Sequence, residues 1–238
     1  MTVLRRLLLA ALIAGGASGA LLGIAQVAFI TPFILEAEAH EHRSSVQPES
    51  PHHAWEPKKG FERNAYTVLF TTLTGVGFAF VLNAGMLLRG GTGFTRGLIW
   101  GCAGFVVFSL APALGLPPEL PGAHAADLPA RQTWWIGTVV ATALGLSGIV
   151  LSRRPLLRAF GVVVLLVPHL IGAPVEIAQD ESAIAHLKGA FAATSLTTML
   201  VFWLILGTLS SLLQGKLLTG RNRTSPPARS LPPGSVGS

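Results

Sequence analysis

Residues 7–30 read LLLAALIAGGASGALLGIAQVAFI, 24 residues without a charge. At 1.5 Å per residue a helix of that length covers about 36 Å, enough to cross a hydrocarbon core of about 30 Å. Gly15, Gly19 and Gly23 recur every four residues and fall on one helix stripe, the spacing that lets a second helix approach closely. Arg5 and Arg6 precede the run, and Ala37-Glu38-Ala39 after it resembles a small-x-small cleavage site. A signal-peptide core has only about 7–15 apolar residues, however. The run is therefore read as a retained, packed membrane helix.

Five more apolar runs follow, at 65–88, 97–116, 134–151, 157–174 and 189–213. The fifth of the six is the weakest. Arg158 interrupts its start and Pro168 and Pro174 break its helix, so it either crosses or re-enters. The fold class is an all-α polytopic membrane bundle of about six spans, five if one run is not a crossing. Composition agrees: of 238 residues, 50% are hydrophobic and 12% charged, against roughly 25% charged in soluble domains. A disordered chain and an ordinary soluble enzyme are excluded. The single cysteine, Cys102, is read as packing and rules out an internal disulfide or a thiolate cluster. The net charge of +6 does not point to nucleic acid, because the basic residues flank apolar runs and make no continuous face.

Those basic residues set the orientation. With six spans, Arg5, Arg6, Arg89, Arg96, Arg153, Arg154, Arg158, Lys216, Arg221, Arg223 and Arg229 share one side, eleven of the 17 Lys and Arg. That side is assigned to the cytoplasm, with both termini. All 11 acidic residues and all seven histidines fall on the other side or in its membrane half. Since the rule concerns only Lys and Arg, this segregation is read as a cation-collecting face; the plainer alternative is solvated polar loops. The transmembrane domain is placed at 1–216, with an external loop at 31–64, and a disordered cytoplasmic tail at 217–238.

The densest group of metal ligands is Glu36, Glu38, His40 and His42, followed by His52 and His53. If the first helix continues past Pro32, Glu36 and His40 share a face one turn apart, as do Glu38 and His42. Imidazole with carboxylate and no thiolate suits Co²⁺, Ni²⁺ or Zn²⁺, and capture requires the neutral imidazole. A solvated His-rich loop is the competing reading. His169 follows Pro168 inside an apolar run, where ionisable groups are costly and functional by default; Glu176 follows at the outer mouth. A hydrogen-bonded packing histidine is the alternative. Gln26, Asn83, Thr194 and Ser195 are read as helix glue, and Trp55, Trp134, Trp135 and Trp203 as interfacial anchors. Neither a phosphate-binding loop nor an HExxH motif is present, so no enzyme is expected.

Several motifs resemble one family. Ala54-Trp55-Glu56-Pro57-Lys58-Lys59-Gly60-Phe61-Glu62-Arg63-Asn64 is similar to the W-x-P-x-x-G-x-E-R signature of CbtA proteins, predicted cobalt transporter subunits. The first span running into Glu- and His-rich sequence also resembles them. So do Leu116–Gly122 with Ala125–Leu128, Arg131–Trp135, and Leu166-Val167-Pro168-His169-Leu170-Ile171-Gly172-Ala173-Pro174. The resemblance covers about residues 1–213. It places Trp55, Pro57, Gly60, Glu62, Arg63, Pro168 and His169 on motif positions. The family is usually described with five spans, against the six read here. The resemblance implies Co²⁺ import across a bacterial inner membrane, a small single-span CbtB-like partner subunit, and a link to cobalamin synthesis.

Together these readings give a membrane subunit of a divalent-metal importer. Glu36, Glu38, His40, His42, His52 and His53 collect the ion, and His169 and Glu176 pass it inward. Co²⁺ is the cargo, with Ni²⁺ and Zn²⁺ as alternatives, and no permanent cofactor is expected. Two rivals stand beside it: an accessory scaffold that binds a metal chaperone without flux, and a transporter of another small cation.

Overall fold

A computed structural model describes residues 3–44, 57–58, 60–120, 126–174 and 185–219. Among these the regular structure is entirely helical. Helix α1 (Val3–Ala25) runs through a π-helical turn, Gln26–Ile30, into α2 (Thr31–Ser44). Helix α3 is Phe61–Arg89. Helix α4 (Phe94–Phe105) passes through a second π turn, Val106–Leu110, into the single turn α5 (Ala111–Ala113). Helices α6 (Leu128–Leu151), α7 (Pro155–Ile171) and α8 (Ala185–Thr219) complete the chain. A chain in hydrocarbon must satisfy its own backbone, and helices do so locally.

Among the described residues, five helical stretches are long and apolar enough to cross a membrane. The fifth apolar run, 157–174, forms α7, 17 residues long, about 26 Å at the helical rise and short of the hydrocarbon thickness. It nevertheless lies antiparallel to α6, so its two ends reach the two ends of the bundle. Pro168 does not end it: α7 continues through the proline to Ile171 and stops where Gly172 takes a φ of +88°. The chain break expected at Pro168 therefore lies four residues later. Large apolar side chains such as Leu8, Phe29, Phe70, Ile99, Val163 and Leu170 stand exposed around the outside, which is the surface of a protein whose solvent is lipid.

Three glycine seams hold the bundle. A Cβ on Gly15, Gly19 or Gly23 would lie 2.5–2.8 Å from the α3 backbone or Thr71, at Val76, Thr71–Thr72 and Val68. The stripe read from the sequence is thus the α1–α3 contact. Gly97, Gly101 and Gly104 bring α4 equally close to Gly207, Trp203 and Thr208 of α8. Gly145 and Gly161 meet between α6 and α7, each with its missing Cβ 2.6–2.7 Å from the other's carbonyl. In lipid there is little hydrophobic gain in pairing helices, so such close backbone packing supplies the attraction.

Helix α8 is the hub, packing on α1, α3 and α4. Its Trp203, 1% exposed, centres an aromatic cluster with Phe78 at 4.9 Å, Phe108 stacked at 5.4 Å, and Phe202. Trp203 is therefore a core residue and not an interfacial anchor. Cys102, read as packing, is exposed on the outside of α4. Nearer the arginine-bearing end, Asn83 Nδ2 donates to Ser210 Oγ at 3.1 Å and Gln214 Nε2 donates to Asn83 Oδ1 at 2.7 Å. All three are buried, and Asn83 is the helix glue expected of it. The α3–α4 turn uses Gly90, Gly91 and Gly93 at φ of +70°, +80° and +120°, values that favour glycine. Ser211 Oγ ties this turn down by accepting from the Gly93 N–H and donating to its carbonyl. Arg6 donates to the Leu217 carbonyl, so the two described chain ends lie together at this end of the bundle.

Candidate functional site

The opposite, acidic end is shaped by two prolines. Proline lacks an N–H and crowds the carbonyl four residues back. Pro32 and Pro112 are each preceded by a residue whose N–H bonds five residues back: Thr31 to the Gln26 carbonyl, and Ala111 to that of Val106. The widened turns carry α1 past Pro32 and α4 past Pro112 without breaking either. Single π turns inside α-helices cluster at functional sites.

Both wide turns line one cavity of about 800 Å³. Gln26 and Ile30 come from the first, Phe108 and Ser109 from the second. Gln132 and Trp135 of α6 and Ser195, Thr198 and Met199 of α8 line its other sides. Its rim is pinned by Arg131 Nη2 on Glu119 Oε2 at 2.9 Å. Its inner wall meets the aromatic cluster, where Trp203 Nε1 donates to Ser109 Oγ at 3.2 Å. The lining offers neutral amide and hydroxyl oxygens, with the one carboxylate neutralised by Arg131. Gln26 and Ser195, read as glue, thus line a cavity, while Thr194 lies in a groove between α1 and α8. Ser109 and Thr198 were missed by the sequence reading. Pro112, three residues beyond Ser109, is the signal for that residue; no proline marks Thr198.

Helix α2 rises from this cavity. Ile30, Ala37, Leu120, Leu187 and Phe191 form a small buried cluster with Phe33 and Ile34, and Phe33 meets Phe191 edge-on at 6.4 Å. The stretch read as a loop from residue 31 is therefore helical to Ser44, projecting about 20 Å beyond the π turn. Glu36 and His40 are exposed one turn apart on its outer face. Glu38 faces α3, where Arg63 Nη2 and Nη1 donate to its two oxygens at 2.7 and 3.4 Å. The side chain of His42, and His52, His53 and Glu176, lie outside the described residues. Among the described residues no three His, Cys, Asp or Glu side chains gather as a metal site.

His169 stands apart from these. Its ring meets Trp134 edge-on at 6.0 Å, and Trp134 Nε1 donates to the Pro168 carbonyl at 3.3 Å. That carbonyl also accepts from the Gly172 N–H, so it is occupied. His169 Nε2 is buried with no hydrogen-bond partner among the described residues. Trp134 faces α7 while Trp135 faces the cavity, so α6 separates His169 from it.

The motif around residue 60 has a local reason. Gly60, at φ +95°, caps the start of α3; Glu62 lies in its first turn, where a carboxylate suits the helix dipole; and Arg63 reaches α2. A family model described as "Probable cobalt transporter subunit (CbtA)" matches residues 4–214. The chain belongs to the CbtA family. No curated protein and no solved structure matches it. The match takes in the cavity, α2 and the Pro168-His169 segment, so every described feature of the acidic end lies within the CbtA region. The chain is accordingly a multi-pass membrane protein of a cobalt-transporter family.

Proposed function

We propose that this chain is the membrane subunit of a Co²⁺ importer in a bacterial inner membrane, with its acidic end outside. Glu36 and His40 on α2, together with Glu38, His42, His52 and His53, collect the ion. The cavity lined by the two π turns receives it, His169 supplies a ligand on the α7 side of α6, and Glu176, which follows it in sequence outside the described residues, supplies another. Glu38 joins the collecting set only by leaving Arg63. The observation that carries this reading is the position of α2: an exposed carboxylate and imidazole one turn apart, on a helix that grows out of the cavity wall. Imidazole and carboxylate together select first-row divalent metals. An inside-negative potential suffices as driving force, since a double charge gains about 4.6 kcal/mol per 100 mV.

A single-span CbtB-like subunit is part of the proposal. The test is purified protein in liposomes, with and without that partner, under an imposed potential and offered Co²⁺, Ni²⁺, Zn²⁺ and Mg²⁺. Co²⁺ flux that grows with the potential supports import. Metal binding without flux in either preparation would make the chain an accessory scaffold instead.

A further inference from the structure

Helix α6 joins the α4 side of the bundle chiefly through the π turn Val106–Leu110 and α5, both at the acidic end. Toward the arginine end it diverges from α3 and α4 and leaves a groove of about 560 Å³. The walls are apolar: Leu82 of α3, Ile99 and Trp100 of α4, Leu146 and Val150 of α6. Arg89 and Arg96 stand at its open end, on either side of the glycine turn. Arg96 gives one N–H to the Gly90 carbonyl at 3.1 Å and lies against Gly91, which fixes its direction. Among the described residues neither guanidinium has a carboxylate to answer it. The only acid on α3, α4, α6 or α7 is Glu62, at the far end of α3.

We infer that this groove binds an anionic phospholipid, its phosphate on Arg89 and Arg96 and an acyl chain along the apolar walls toward Trp100. Charge complementarity decides the occupant: two guanidiniums without a counter-ion among the described residues, at membrane-surface level, above a wall that only an apolar chain would fill. Guanidinium is the side chain best matched to phosphate oxygens, and basic pockets between membrane helices recruit acidic lipids. A free phosphate would satisfy the arginines but leave the groove empty.

Trp100 makes the site readable. Purified full chain in phosphatidylcholine nanodiscs is titrated with phosphatidylglycerol brominated on its acyl chains. Quenching should exceed that from brominated phosphatidylcholine, and Trp100→Phe should abolish the excess. Arg89→Gln with Arg96→Gln should weaken the phosphatidylglycerol response about tenfold or more. Arg153→Gln with Arg154→Gln, a pair at the same end outside the groove, should leave it unchanged. Ala143→Phe, which fills the groove without touching a charge, should also suppress it. Equal quenching by the two lipids, or a response untouched by the Arg89/Arg96 change, overturns the inference. So does reversal by glycerol 3-phosphate at the same concentration, which would make the site one for free anions.

Discussion

Arg63 holds both oxygens of Glu38, at 2.7 and 3.4 Å, with each side chain about three-quarters buried. One partner belongs to the first helix and the other to the start of α3, so the pair staples the helical extension to the bundle. It also takes a candidate metal ligand out of circulation. Partly buried, two-pronged pairs of this kind exceed ordinary surface ion pairs in strength. A double-mutant cycle with Glu38→Gln and Arg63→Gln, read by thermal unfolding in detergent, should give a coupling of about 1 kcal/mol. A coupling near zero would show that the contact contributes nothing.

The candidate capture histidines should matter where metal is scarce. Replacing His40, His42, His52 and His53 together with alanine should slow Co²⁺ uptake at low external metal and have less effect at high metal. Uptake curves that superimpose at low metal would remove the capture role.

His169 should limit turnover and not capture. Its buried Nε2, without a partner among the described residues, leads us to expect that His169→Ala lowers the maximal uptake rate even at saturating Co²⁺. A normal maximal rate would reassign the ring to packing against Trp134.

The seams predict which glycines tolerate a methyl group. Gly101→Ala places a Cβ 2.4 Å from the Trp203 carbonyl, and overpacking of that kind costs about 1–3 kcal/mol. Gly16→Ala and Gly77→Ala meet nothing within 4 Å and should be neutral or slightly stabilising. Melting temperatures of the three variants in one detergent test the contrast.

Asn83 anchors the buried polar group. Asn83→Leu strands Ser210 and one contact of Gln214, an expected loss of about 1–3 kcal/mol. Ser210→Ala removes a single interhelical bond and should cost about 0.6 kcal/mol. Similar losses from both would place the energy in shape and not in hydrogen bonding.

The linear sequence determined that this chain is a helical membrane bundle, because crossing hydrocarbon demands uncharged runs of a set length. It determined the close-packing stripe of α1 as well, since Gly15, Gly19 and Gly23 share one face at any helix position. It also marked Glu36 and His40 as face-sharing, which needs only a helix through Pro32. Which helix each seam would meet, and what each polar side chain would face, depended on packing. Gln26 and Ser195 read like Asn83, yet the first two border a cavity and the third is locked to Gln214. Trp203 reads like a belt residue but fills the core, because α8 is surrounded on several sides. The cavity draws on two prolines, eighty positions apart, whose widened turns both pack against α8. A periodicity belongs to one helix and can be read along it; an enclosure belongs to several, and only their mutual placement creates it.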